Sequence, residues 1–145
     1  MLTDKPLPAG RILRLFDANL NRAREGLRVV EDTARFMLCD ERFYLELRSL
    51  RHRLDKATRA IYPDLVLNRN SAGDAGRNIK EGRRKDIRAI LNANFRRVEE
   101  SLRVLEEYSK VVKPGLSSVF KSVRFKTYMM EKKISGISFS KLVAN

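Results

Sequence analysis

The chain carries two sets of polar side chains in the same order and at the same three-residue steps. Asn19, Arg22, Glu25, Arg28 and Glu31 run through DANLNRAREGLRVVED, which begins at Asp17. Asn94, Arg97, Glu100, Arg103 and Glu106 run through NANFRRVEESLRVLEE, which begins at Asn92. Aligning residues 17–36 with 92–111 gives eight identities in twenty: those five polar pairs with Ala18/Ala93, Leu27/Leu102 and Val29/Val104. Arginines gather anions, carboxylates gather cations, and amides read polar edges. The same groups also solvate a helix: Arg22–Glu25 and Arg28–Glu31 are i,i+3 pairs that stabilise it by a few tenths of a kcal/mol. Slow drift after a duplication would leave such identities too. Surface pairs are freely exchangeable, however, and these side chains kept their types in both copies. Function therefore outweighs simple pairing for Asn19, Arg22, Asn94 and Arg97. For Arg28, Arg103, Glu31 and Glu106 both readings stand.

Helices must position these groups. Apolar residues recur at Phe16, Leu20, Ala23, Leu27, Val30 and Ala34, alternating four- and three-residue steps, the stripe of one helix. A break around Leu38–Asp40 follows, with Asp40 a plausible N-cap. Phe43, Leu47, Leu50, Leu54, Ala57 and Ile61 form a second stripe that Pro63 ends. Residues 62–82 hold Gly73, Gly76 and Gly82 with little periodicity and read as a long loop or broken helix, of a length often tied to function. Helicity resumes near Arg84, with Leu91, Phe95, Val98, Leu102, Leu105 and Val112 inward; Pro114-Gly115 stops it. A last helix runs from about Ser117 or Ser118 to Lys133 around Phe120, Val123, Thr127 and Met130.

The second helices also echo each other, RSLRHR from Arg48 against KSVRFK from Lys121. The expected fold is all-α: one domain over 1–145, a four-helix bundle of two repeated hairpins at about 11–61 and 84–133. A glycine-containing basic linker at about 62–83 joins them, and a tail spans 134–145. At ~100° per residue, Asn19, Arg22, Gly26 and Val29 fall on one flank of the first stripe, with Glu25 just beyond. Arg24, Arg28 and Glu31 fall on the other. Gly26 and its counterpart Ser101 leave room for close approach of a partner helix or a ligand.

Bulk properties narrow the class. The formal net charge is +13. Residues 69–88 carry seven Lys/Arg against three acids, and residues 110–145 carry eight against one. Such an excess suits nucleic acid, an anionic membrane or small phosphorylated ligands, or serves solubility alone. No apolar run approaches the ~18–20 residues of a membrane helix, and MLTDKPLPAG lacks a signal-peptide pattern. Cys39 is the single cysteine, which excludes a disulfide framework and a cysteine zinc site and suggests a reducing cytoplasm. There is no G-x-x-x-x-G-K-[ST] or G-x-G-x-x-G loop and no metal-binding histidine pattern. Gly73, Asp74 and Gly76 resemble a phosphate-cradling turn only loosely. His52, the sole histidine, lies beside Arg51 and Arg53 and has no triad partners. The aromatics mostly fit core spacing.

In chain order come DANLNRAREGLRVVED, then Asp74-Ala75-Gly76, then NANFRRVEESLRVLEEYSK, then RFKTYMMEKK from Arg124. This series resembles the short all-helical hydroxymethylpyrimidine phosphate kinase family of thiamine biosynthesis, over about residues 12–133. That domain often precedes a thiamine-phosphate synthase barrel; the 145 residues of this chain hold no barrel pattern, so synthase activity is not expected of them. Asn21 and Asn92 depart from the family pattern, which has Asp at both. The resemblance implies transfer of the ATP γ-phosphoryl group to 4-amino-5-hydroxymethyl-2-methylpyrimidine phosphate.

Such a reaction calls for positioning and charge cancellation, which suggests roles for the repeated side chains. Arg22, Arg28, Arg97 and Arg103 are expected as phosphate clamps. Glu25, Glu100, Asp32 or Glu107 are expected to hold magnesium. Asn19 and Asn94 are expected on an amide-like edge of adenine or the aminopyrimidine, with Asp74, Gly76 and the basic run 77–85 as a mobile cover. One hairpin could serve ATP and the other the pyrimidine, or a homodimer could place sites at its interface. Two rivals remain: a basic helical nucleic-acid-binding protein, and a non-catalytic partner of a thiamine-phosphate synthase. The acids interleaved along both long helices argue against the first.

Overall fold

The computed structural model describes residues 9–137, and among them every regular element is helical. Helix α1 spans Ala9–Asp32, α2 Glu41–Thr58, α3 Tyr62–Leu67, α4 Ile87–Val112 and α5 Ser117–Ser135. The four long helices touch in a closed ring: α1 on α4, α4 on α5, α5 on α2 and α2 on α1, with α1·α4 the most extensive seam. Short α3 packs on α1.

The stripes become the core. Phe16, Leu20, Ala23, Leu27, Val30 and Ala34 are fully buried, as are Leu47, Leu54, Val98, Leu102, Leu105, Phe120 and Val123. Phe16 meets Phe120 edge to face, ring centroids 5.7 Å apart, which adds quadrupole attraction to the area buried. Each buried Leu or Phe stabilises the fold by roughly 1.5–3 kcal/mol.

Local signals set the ends. Residues Thr33–Met37 widen into a π-helical turn, with Leu38 N–H donating to the Thr33 carbonyl at 3.0 Å. Cys39 then takes a left-handed φ of 50°, a conformation that costs a non-glycine residue roughly 1–2 kcal/mol. Asp40 caps α2, its Oδ1 accepting from Phe43 N–H at 3.0 Å. Asp86 does the same for α4 through Ala89 N–H at 2.8 Å. That cap moves the start of α4 from the expected Arg84 to Ile87. Likewise α2 ends at Thr58, ahead of Pro63, which opens α3 instead because its missing N–H is no loss in a first turn. Helix α5 continues two residues past Lys133 to Ser135. The expected tail beyond residue 137 lies outside the described residues.

Candidate functional site

Gly26 sets the distance between α1 and α4. A Cβ there would stand 2.7 Å from Val98 Cγ2 and 3.1 Å from the Asn94 carbonyl oxygen, so the close approach open to either a helix or a ligand is made by a helix. The flank of α1 bearing Asn19, Arg22 and Val29 thereby borders α4. Across it lie Asn94, Arg97 and Val104. Together with Glu25, Glu100, Ser101 and the linker residues Glu81, Gly82 and Arg84 they line a groove of about 970 Å³.

The two asparagines are held alike. Asn19 Nδ2 donates to the Leu15 carbonyl at 2.9 Å, and Asn94 Nδ2 donates to the Ile90 carbonyl at 2.8 Å. Tying the amide nitrogen to the preceding turn leaves Oδ1 as the presented end, an acceptor. Arg22 Nη1 donates to Asn19 Oδ1 at 3.4 Å. Among the described residues Arg97 has one loose ion-pair partner, Glu81 of the linker at 3.8 Å. Glu25 and Glu100 have neither an ion-pair partner nor a side-chain hydrogen bond among the described residues.

A second cavity of about 800 Å³ adjoins this groove, sharing Asn19, Arg22 and Val104, and is lined further by Arg11, Arg14, Asp74 and Tyr108. One wall is built from a long-range pair. Arg69 donates Nε to Asp17 Oδ2 at 2.8 Å and Nη2 to Asp17 Oδ1 at 2.9 Å, a bidentate fork. Hydrogen bonding to Asp17 raises the Arg69 pKa, with Tyr62 adding to it. Arg14 Nη2 donates to the Asn70 carbonyl at 3.3 Å, so the start of the linker is fastened to α1 at two points. The sequence reading did not single out Arg11, Arg14, Asp17, Arg69 or Tyr108. Asp17 was visible only as the partner of Asn92 in the repeat, and nothing local links it to a residue 52 positions on.

Half of the expected ionic set lies elsewhere. Glu31 is 1% exposed and accepts Arg51 Nε at 2.6 Å and Nη2 at 3.1 Å. Glu106 Oε2 accepts Arg124 Nε at 3.1 Å and Nη2 at 2.8 Å. These matched pairs tie α1 to α2 and α4 to α5. Arg28 sits over the first at 3.9 Å from Glu31 and 3.6 Å from Asp32. Arg103 sits over the second at 3.6 Å from Glu106 and 3.2 Å from Glu107. Lys110, 2.9 Å from Glu107, holds that carboxyl below its usual range. Arg28, Arg103, Asp32 and Glu107 are thus not brought to the groove; they stand about half exposed and pair within their own helices, beside the carboxylates that α2 and α5 take. Asp74 lines the second cavity, its Oδ1 accepting from Gly76 N–H at 2.8 Å, and Gly76 lies in an exposed turn. No three His, Cys, Asp or Glu residues converge as a metal cluster among the described residues. Magnesium needs no such cage: one or two carboxylates with substrate oxygens suffice, and Glu25 and Glu100 fit that limited role because they face one groove unpaired.

One further acidic pair lies between α4 and α5. Glu99 is 5% exposed, and its pKa is pushed up to about 8 by burial, then by Glu131, against the pull of Arg96. The Oε2 atoms of Glu99 and Glu131 are both buried without a partner. Ionising Glu99 would set a second negative charge beside Glu131 in a buried seam, which is why its pKa moves upward.

Comparison with known proteins adds a lineage to this geometry. The sequence profile of the ThiD2 family matches residues 14–133. A thiamine-phosphate synthase of Synechocystis is 44% identical over 135 residues, covering 91% of this chain and 38% of that protein. A thiamine-phosphate synthase of Nostoc punctiforme is 42% identical over 128 residues, covering 86% and 36%. The chain thus spans little more than a third of the curated relatives it matches. No solved structure matches it. Among the described residues no helix is long and apolar enough to cross a membrane.

Proposed function

The chain belongs to the ThiD2 family of thiamine biosynthesis, and on that premise we propose that it is an ATP-dependent kinase of 4-amino-5-hydroxymethyl-2-methylpyrimidine phosphate. We read its helices as a four-helix bundle of two repeated hairpins, about 11–61 and 84–133, joined by the basic linker at about 62–83. The observation that carries the proposal is the α1–α4 groove, where Asn19, Arg22 and Glu25 meet Asn94, Arg97 and Glu100.

The chemistry suits these groups. The acceptor is a phosphate whose second ionisation lies near ~6, so at neutral pH its oxygen attacks without a strong general base. A bond forms from that oxygen to the γ-phosphorus, the bond from the γ-phosphorus to the β,γ-bridging oxygen breaks, and ADP leaves with the electron pair. No proton must move. The obstacle is charge, roughly six negatives brought together. Arg22 and Arg97 clamp the phosphates with planar forks. Glu25 and Glu100 would hold magnesium, which supplies charge neutralisation across the transferring phosphates. Asn19 and Asn94 offer acceptor oxygens to an exocyclic amine. Glu81, Gly82 and Arg84 belong to a cover that excludes water, which would otherwise hydrolyse ATP.

The test is ATP consumption that depends on the pyrimidine phosphate. Arg97→Lys, which keeps the charge and loses the fork, is expected to lose most activity with the melting temperature unchanged; near-normal kinetics remove Arg97 from the site. A second reading has its own support: the relatives are named thiamine-phosphate synthases, and this chain corresponds to about a third of each. In that reading the chain is a non-catalytic partner of a synthase. It predicts no ATP turnover under any pyrimidine concentration, together with co-purification with a synthase.

A further inference from the structure

The two adjoining cavities differ in what they leave unpaired. Among the described residues, the carboxylates Glu25 and Glu100 of the α1–α4 groove stand free beside Arg22 and Arg97, a mixture of signs, and no aromatic ring lines it. In the second cavity Asp17 is already neutralised by Arg69 through both oxygens, and Asp74 accepts from Gly76 N–H. Among the described residues, the charged side chains that face that space unengaged by any carboxylate are cationic: Arg11, Arg14 and Arg22. Its rim also holds Tyr108, 38% exposed, above Val104.

A groove with free carboxylates among arginines suits a polyphosphate that arrives with a divalent metal, because each sign finds its opposite. A cavity with three arginines and a tyrosine ring suits a phosphate monoester dianion that arrives without metal on a flat ring. The guanidiniums take the phosphate, and the ring stacks on the phenol. Asn19 Nδ2 donates to the Leu15 carbonyl, and Oδ1, which takes Arg22 Nη1 at 3.4 Å, has a second lone pair for an amino substituent. Arg22 belongs to both spaces, so the two phosphates meet at its fork.

We propose that the cavity bounded by Arg11, Arg14, Arg22 and Tyr108 seats the aminopyrimidine phosphate, without metal, while the α1–α4 groove takes the metal-complexed triphosphate. This assignment rests on the kinase reading above for the identity of its ligands. Arg14 and Tyr108 are then binding residues for the pyrimidine phosphate alone.

The experiment is calorimetric titration of 4-amino-5-hydroxymethyl-2-methylpyrimidine phosphate into the full chain with EDTA and no nucleotide. Initial-rate kinetics on the same variants accompany it. Binding is expected without metal. Arg14→Ala and Tyr108→Leu are each expected to weaken it by about tenfold, the loss for one charge-assisted contact or one stacked ring. Arg97→Ala and Glu100→Gln are expected to leave it within about twofold while weakening MgATP binding. Circular dichroism melts confirm that each variant folds. Metal-dependent pyrimidine binding, or a loss in Arg97→Ala and Glu100→Gln with none in Arg14→Ala and Tyr108→Leu, overturns the assignment. If ATP turnover persists in that case, the kinase reading survives it. If the pyrimidine phosphate binds as mapped and no ATP is consumed, the assignment stands and the kinase reading falls.

Discussion

Gly26→Ala probes the seam on which the site depends. The new methyl would lie 2.7 Å from Val98 Cγ2 and 3.1 Å from the Asn94 carbonyl oxygen. Val98 is fully buried and β-branched, so its χ1 cannot swing away cheaply, and a backbone oxygen cannot move without its helix. Overpacking of this kind costs about 1–3 kcal/mol. Replacing glycine with alanine inside a helix returns about 1 kcal/mol. The expected balance is a loss of about 1 kcal/mol, which lowers the urea midpoint by about 0.5 M at an m-value of about 2 kcal/mol/M. Val98→Ala alone removes buried carbon and costs about 2 kcal/mol. In the double variant the methyl added at position 26 enters the space that the valine vacates. Its loss should therefore fall short of the sum by about 1 kcal/mol. Urea unfolding of the four proteins measures this directly. Additivity within about 0.3 kcal/mol, or a Gly26→Ala protein more stable by the full helix-propensity gain, would show that α1 and α4 do not touch at this point. It would also remove the reason for Arg22 and Arg97 to share a groove.

Other perturbations reach other parts of the molecule. Burial raises the Glu99 pKa to about 8, so the folded state binds this proton more tightly than the unfolded chain. Its contribution is complete below the ordinary carboxyl value and is lost as pH rises through about 8. Urea midpoints should therefore fall between about pH 4.5 and 8, and Glu99→Gln should flatten that slope; an unchanged slope refutes the raised Glu99 pKa. Glu31→Gln leaves Arg51 with Asp55 alone, at 3.9 Å, and Glu106→Gln takes from Arg124 its bonded carboxylate; each should cost about 1–3 kcal/mol in the same assay. Arg28→Ala and Arg103→Ala should change both stability and ATP turnover little, because those arginines are half exposed and outside the groove; a hundredfold loss of turnover would return them to the site. Asp17→Asn weakens the fork that fastens Arg69, so trypsin should cut the native protein between residues 69 and 85 several-fold faster than wild type.

The stripes, the cap at Asp40 and the stop at Pro114 act over a few residues, and they were present in the sequence. Helical periodicity is a local property, so four amphipathic helices and their inward faces could be read before any contact was known. The repeat likewise marked which polar side chains to follow. It could not tell Arg22 from Arg28, because both stand at the edge of the same apolar stripe. Packing separated them: α4 took the flank with Asn19 and Arg22, and α2 took Glu31 on the other flank and left Arg28 half exposed. The first flank became the wall of a groove, and Glu31 joined Arg51 in a buried ion pair. The Asp17–Arg69 fork, the second cavity and the buried approach of Glu99 to Glu131 exist only where distant segments meet. Such contacts are decided by which helix faces which and at what separation. A single helix's sequence does not encode that separation, and here the space left at Gly26 brought α1 and α4 close.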